Sequence, residues 1–496
     1  MRAGLRGSWL SAAGDVGVNS AEVVALGRSR VLPKALGFAD LALAQILIVM
    51  VPEFFGTAVK AGSSHAELWL LAILLFFIPQ AIVVAHLNRI MPLEGGLYEW
   101  ARLGFSDRVG FLVAWNIWVN TTVQVSQIAL VATTYVSYAF GPKVAWIAGN
   151  TRVLLAVSIV LVVAMMFVSR LGLRIGKWVT NAGSAFTVMT IGVLVALPHL
   201  PAWRGKLPDY HAVPLVRPEL SLSSLSIFGK MTFGALSGFE LVAIFAGESR
   251  SPGRNLARSI VITAPLIALM YILGTSSILA FVSPNDVDVI GPIPQAFSRA
   301  FAGFGNAGVL VPVVILLLLT NYLSSYTLYF SSNTRLPLVA GWDHLLPKWF
   351  TVLHAKYKTP VNCILFMGAV ALGASTAVVI GAGNQEAFLL LQIWSWTFYG
   401  LAYLAMFAIP LFARKEKKIG AGVWLRVAAA SGMLVTLLFV ALSVLPVIEV
   451  ESKWGYSLKI VGVVVGANMV GWGIYRAGGK KEGAASGRKG NSSPQR

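Results

Sequence analysis

Val49-Met50-Val51-Pro52-Glu53-Phe54-Phe55-Gly56-Thr57 interrupts an apolar run that extends over residues 41 to 60. Proline removes a backbone donor and its ring clashes with the preceding turn, so a helix through this run breaks or kinks at Pro52. Gly56 loosens the next turn. Glu53 adds a carboxylate in the middle of the run, where a charge in a bilayer would cost about 2.5 to 3.5 kcal/mol on insertion scales. Irregular backbone at that depth is tolerated only inside protein or along a polar cavity. A second interruption, Phe233-Gly234-Ala235-Leu236-Ser237-Gly238-Phe239-Glu240, falls within an apolar run five segments later. Two glycines four residues apart and a serine weaken the helical ladder there. Interrupted segments in corresponding places of two halves point to an inverted-repeat transporter with its site near the bilayer midplane, where unwound backbone and half-helix ends solvate a polar ligand. The plainer alternative is a proline kink at Pro52 and a small-residue packing face at Gly234 and Gly238; the matching positions favour the site.

The rest of the chain fits a lipid-solvated fold. Of 496 residues, 57% are hydrophobic and 12% charged, with a mean hydropathy of +0.75, a balance foreign to water-soluble globular domains. A bilayer core takes about 20 apolar residues per helix. Twelve segments qualify: 41–60, 67–86, 109–140, 153–169, 175–199, 226–247, 259–282, 305–332, 361–381, 387–412, 422–446 and 456–475. The expectation is an all-α polytopic membrane protein with one integral domain over residues 36–476. Residues 1–35 read as a retained cytosolic segment, because they carry five Lys/Arg and lack the apolar core of a signal peptide. Residues 477–496, rich in Gly, Ser, Lys and Arg, read as a disordered cytosolic tail.

Charge supplies the orientation. With both termini inside, and basic residues near span ends counted with their flanking segments, the inside segments hold 29 of the 39 Lys/Arg and the outside segments nine, leaving Lys230 inside a span. The net charge of +19 is therefore a matter of topology, spread over alternate loops rather than gathered into a nucleic-acid patch. The expected location is the plasma membrane, multi-pass, with both termini cytosolic. One cysteine, Cys363, excludes a disulfide framework, and the six histidines form no HExxH pattern. No GxSxG element, P-loop or TVGYG filter occurs, which argues against an enzyme, an ATP-driven pump and a selective channel. No cofactor or metal is expected.

Three loops carry a resemblance. Pro92-Leu93-Glu94-Gly95-Gly96-Leu97-Tyr98-Glu99-Trp100 follows the second segment; Gly238-Phe239-Glu240, then Gly247-Glu248-Ser249-Arg250-Ser251-Pro252-Gly253-Arg254-Asn255, follows the break in the sixth. Asn333-Thr334-Arg335, Asp343-His344-Leu345-Leu346-Pro347-Lys348-Trp349 and Thr359-Pro360 follow the eighth. In this order and at these helix ends they resemble the amino acid, polyamine and organocation transporter superfamily over nearly the whole chain. The resemblance implies five plus five inverted helices (first repeat about 41–199, second about 226–412), two extra helices over 422–475, and alternating access by rocking of helices 1, 2, 6 and 7. The sequence departs from the family in two places. The first break has one glycine in place of a glycine-rich carboxylate clamp, and the fifth segment, Trp178-Val179-Thr180-Asn181-Ala182-Gly183-Ser184-Ala185-Phe186, lacks the lysine that some sodium-independent members carry.

The expected substrate site is built from Pro52, Glu53, Phe54, Phe55 and Gly56 of the first break and Phe233, Gly234, Ala235, Leu236, Ser237 and Gly238 of the second. Lys230 joins it from one turn earlier, Asn120 and Gln124 from the third segment, and Tyr322 from the eighth. Glu53 and Lys230 are expected to line the cavity, paired with each other or holding the two ends of a zwitterion; otherwise Lys230 snorkels outward and Glu53 is a protonated packing residue. Glu240 matches the family's glutamate after the sixth-helix break and is expected to act in proton coupling or gating, beside Phe239 and Trp394, or else to cap a helix. The function expected is secondary active transport of an amino acid, proton-coupled or by exchange, with a polyamine or other organic amine as the alternative substrate.

Overall fold

The computed structural model describes residues 38–91, 96–171, 173–200, 206–207, 210–241, 252–302, 309–339, 346–354, 357, 359–413 and 422–490. The expected cytosolic segment 1–35, and Pro92 to Gly95, Gly247 to Ser251 and Asp343 to Leu345 of the loop motifs, lie outside them. Helix is the only regular structure among the described residues. The first segment divides into α1a (Phe38–Val49) and α1b (Phe54–Val59), followed by α2 (Gly62–Ile90). The third divides into α3a (Asp107–Val125) and α3b (Ile128–Phe140), and α4 (Thr151–Leu171) and α5 (Leu173–Ala196) follow. Then come α6 (Leu222–Leu236), α7 (Pro252–Leu279), α8 (Leu310–Asn333), α9 (Val361–Gly381), α10 (Asn384–Phe412), α11 (Val423–Leu442) and α12 (Lys453–Gly490).

Nine helices among the described residues are long and apolar enough to cross a bilayer. The remaining three of the twelve expected segments, 41–60, 109–140 and 226–247, are those the fold interrupts. Side chains such as Leu74, Val160, Phe167 and Leu434 are more than half exposed on the outer faces of their helices. An apolar band of that kind would drive aggregation in water and is at home against lipid tails, and the chain is accordingly a multi-pass membrane protein.

The break in the third segment, at Ser126-Gln127, has neither proline nor glycine. There the ladder tightens into a turn, the Ser126 N–H donating to Val123 O at 3.1 Å and the Gln127 N–H to Gln124 O at 3.4 Å. In α2 a π turn over Ile73–Phe77 swings Phe76 and Phe77 fully inside, where they meet Phe233 at 5.7 Å and Phe239 at 4.8 Å. The last helix continues to Gly490, into the stretch 477–496 expected to lack structure. At the centre, α1a is packed between α5 and α7, α1b between α6 and α7, and α6 leans on α11.

Candidate functional site

The break in the first segment is lined by tyrosine hydroxyls. Pro52 supplies no N–H, and the helical ladder of α1a ends with Met50 N–H donating to Ile46 O at 2.9 Å. The Val51 N–H donates to Tyr271 Oη at 2.9 Å, and that hydroxyl donates on to Val49 O at 3.0 Å. Tyr329 of α8 donates to Ile48 O at 2.9 Å. Downstream, the amides of Phe54, Phe55 and Gly56 turn tightly onto the carbonyls three residues back, at 3.2, 3.3 and 3.0 Å. The amides that unwinding was expected to leave free are thus occupied, by α7 on one side of Pro52 and by a turn on the other. Tyr271→Phe leaves Val49 O and Val51 N–H unpaired inside protein, at about 1 to 3 kcal/mol for each group. We expect a clear fall in the melting temperature of the purified protein, because the Tyr271 ring keeps its stack on Trp69; an unchanged melting curve would show that the hydroxyl does not hold the break.

The second break has its own tyrosine. α6 ends at Leu236; Ser237 returns both its N–H and its hydroxyl to Phe233 O. Gly238 adopts φ +122°, a region open to glycine and closed to side-chain-bearing residues, and its N–H donates to Tyr403 Oη at 2.7 Å. The two breaks touch. A Cβ on Gly238 would stand 2.9 Å from Ile48 Cγ2, and one on Gly234 only 1.9 Å from Phe54 Cζ. Phe54 lies edge-on to Trp396, ring centroids 5.3 Å apart, while Phe55 fills the space over Gly274 and beside Tyr271. The expected residues Pro52 to Gly56 and Phe233 to Gly238 are therefore brought together and buried.

A buried carboxylate belongs to each break. Glu53 is 2% exposed; its Oε1 accepts from Tyr326 Oη at 3.3 Å and its Oε2 has no hydrogen-bond partner. Glu240, 1% exposed, accepts from the hydroxyls of Tyr399 and Tyr403 of α10. Gln80 of α2 lies 2.9 Å from Tyr403 Oη, and with its amide turned to satisfy both ends its nitrogen donates to Leu236 O at 2.7 Å. The ion pairs among the described residues, Arg102 with Glu99, Arg299 with Asp286 and Lys459 with Glu386, involve neither carboxylate. Between the breaks and the third segment lies a cavity of about 10 Å³, lined by Asn120, Gln124, Ser237, Gly238, Tyr329 and Asn333. Asn120 is also tied to α10, accepting from Ser395 Oγ at 2.5 Å.

Two expected residues point elsewhere. The Lys230 ammonium donates to Leu445 O, and Ser226, one turn earlier, donates to Leu442 O at 3.3 Å. These carbonyls lie at the C-terminal end of α11, the negative end of its dipole, which a cation stabilises. Lys230 is directed there and not at Glu53. Trp394 donates to Lys459 O of α12 at 3.2 Å. Two positions along a helix is about 200° around it, so it is Trp396 that faces Phe54 and Phe233. Phe239 lies stacked on Phe77, and Phe233 on Phe439, with centroids 4.6 Å apart. Tyr322 stacks on Tyr326 at 4.9 Å beside Glu53.

Sequence reasoning passed over Gln80, Gln127, Tyr135, Tyr271, Tyr326, Tyr329, Tyr399 and Tyr403. A signal existed for several of them: Tyr322, Tyr326 and Tyr329 recur at four and three residues, and Tyr399 and Tyr403 at four, spacings that place hydroxyls on one helix face.

Comparison with known proteins agrees with this architecture. The model of a family described as amino acid permease matches residues 36–466. An uncharacterized transporter of Legionella pneumophila is 27% identical over 77% of this chain and 82% of its own length. A probable agmatine/putrescine antiporter of Lactococcus lactis is 22% identical over 75% of this chain and 76% of its own. A serine/threonine exchanger of Bacillus subtilis is 23% identical over 73% and 79%.

Proposed function

The chain belongs to the amino acid permease family, and on that premise we propose that it is a secondary active transporter that moves a small amine-bearing substrate by alternating access. The observation that carries the reading is the contact of two interrupted helices, each with a buried carboxylate held by tyrosine hydroxyls. A charge in such a place is a functional feature by default. Amino acids are the first substrate class, in keeping with the family and with the exchanger relative. A specific observation also favours organic amines: the turn amides of the first break are occupied and Glu53 stands beside them, an arrangement unfavourable to a substrate carboxylate. The antiporter relative carries such a substrate in its name.

In this reading the substrate is received between Pro52 to Gly56, Phe233 to Gly238, Asn120, Gln124 and Tyr322, in a space that opens from the small cavity as the helices move. The fold is read as twelve spans, five plus five inverted and two extra, in the plasma membrane with both termini cytosolic, and the helices bearing the breaks rock with α2 and α7. A substrate panel in proteoliposomes, with and without a proton gradient, tests the transport reading: saturable uptake with counterflow is expected, and ohmic, unsaturated flux would make the protein a channel.

Glu240 is the coupling group, able to exchange a proton between two tyrosine hydroxyls. Glu240→Gln keeps the shape and loses the exchangeable proton. We expect accumulation driven by a pH gradient to disappear while exchange between compartments of equal pH persists; full pH dependence in this variant would remove Glu240 from the coupling.

A further inference from the structure

Three buried polar atoms without hydrogen-bond partners gather beside the first break. They are Oε2 of Glu53, Oε1 of Gln127 and the hydroxyl of Tyr135, on side chains 2%, 0% and 0% exposed. Two of these side chains meet at one hydroxyl: Gln127 Nε2 donates to Tyr326 Oη at 2.5 Å, and Tyr326 donates to Glu53 Oε1 at 3.3 Å. Tyr322, stacked on Tyr326, meets the Tyr135 ring edge-on with centroids 5.8 Å apart. Gln127 reaches this place because it sits in the bend between α3a and α3b.

An unpaired buried polar atom costs about 1 to 3 kcal/mol, so three on side chains linked through Tyr322 and Tyr326 call for a ligand that satisfies them together. Two of the three, the carboxylate and amide oxygens, only accept, and a tyrosine hydroxyl also can. A primary ammonium group has three N–H donors and no acceptor, and its charge complements Glu53. A carboxylate offers no donor and is repelled; a trimethylammonium offers charge without N–H. We infer that Glu53, Gln127 and Tyr135 form the receptor for a primary ammonium group of the substrate, the rings of Tyr322 and Tyr326 flanking it. The assignment rests on the transport reading of the same break for its role, and stands on binding alone for its test.

Thermal-shift titrations of the purified full-length protein use n-butylamine, n-butyltrimethylammonium, sodium butyrate and sodium chloride as probes. We expect saturable protection by butylamine alone, lost in Glu53→Gln and weakened at least tenfold in Tyr135→Phe and Gln127→Leu. Tyr135→Phe keeps the ring and serves where the Gln127 variant does not fold. Equal protection by the trimethyl analogue or by sodium, or undiminished butylamine binding in Tyr135→Phe, would overturn the assignment. If butylamine protects but no amine or amino acid crosses proteoliposomes, the ammonium receptor stands and transport falls. If transport proceeds unimpaired in the Tyr135→Phe and Glu53→Gln variants, transport stands and the receptor falls.

Discussion

Glu53→Gln is expected to stop uptake in proteoliposomes while leaving a folded protein in the membrane. The amide has the shape of the carboxyl group and keeps an oxygen for the Tyr326 hydroxyl 3.3 Å away, so the fold loses little. What disappears is the ability to present a carboxylate to a cationic substrate. A hydrogen bond to a charged partner is worth about 1.5 to 3 kcal/mol, so substrate binding weakens roughly tenfold to a hundredfold. A neutral amide also never carries the desolvation cost of a buried carboxylate, so the melting temperature of the variant is expected to stay level or rise. Loss of uptake together with a lower melting temperature would signify a packing role; normal uptake would take Glu53 out of the site.

The second large effect is expected at Gly234. A Cβ there would lie 1.9, 2.1 and 2.5 Å from three atoms of the Phe54 ring. Phe54, 1% exposed, is backed by Trp396 and has little room to retreat. Overpacking of this kind costs about 1 to 3 kcal/mol, and Gly234→Val adds more than one methyl group. The two breaks are then held apart, and both transport and thermal stability should fall. Phe54→Ala in the same chain makes room, so the double variant is expected to recover stability relative to Gly234→Val, a coupling that a double-mutant cycle measures directly. Additive losses would mean that the two side chains do not share this space.

Much of this arrangement was legible in the residues themselves. Pro52 forces a break whatever surrounds it, because it lacks an N–H and crowds the turn before it. Gly234 and Gly238 marked the other break, and Glu53 and Glu240 announced themselves by lying in apolar runs. Direction around a helix axis was harder to read. Trp394 and Trp396 look alike in sequence, yet one faces α12 and the other Phe54. The partner of a buried charge was harder still. Lys230 and Glu53 are each short of a counter-ion, which suggests a pair, but a backbone carbonyl can satisfy an ammonium as well, and no residue type advertises Leu445 O. The bend at Gln127 went unread because Ser126-Gln127 holds neither proline nor glycine to mark it.

The bond from Lys230 to Leu445 bears on modularity. The last two helices follow the pair of broken segments in sequence and contribute neither carboxylate, so they invite the view of a detachable appendage. Yet the carbonyl that accepts from the buried ammonium of α6 lies just beyond α11, and stripping a buried charge of its partner costs several kcal/mol. The appendage is thereby part of the solvation of α6, and a chain cut short before Leu445 would leave the buried Lys230 amine without its acceptor.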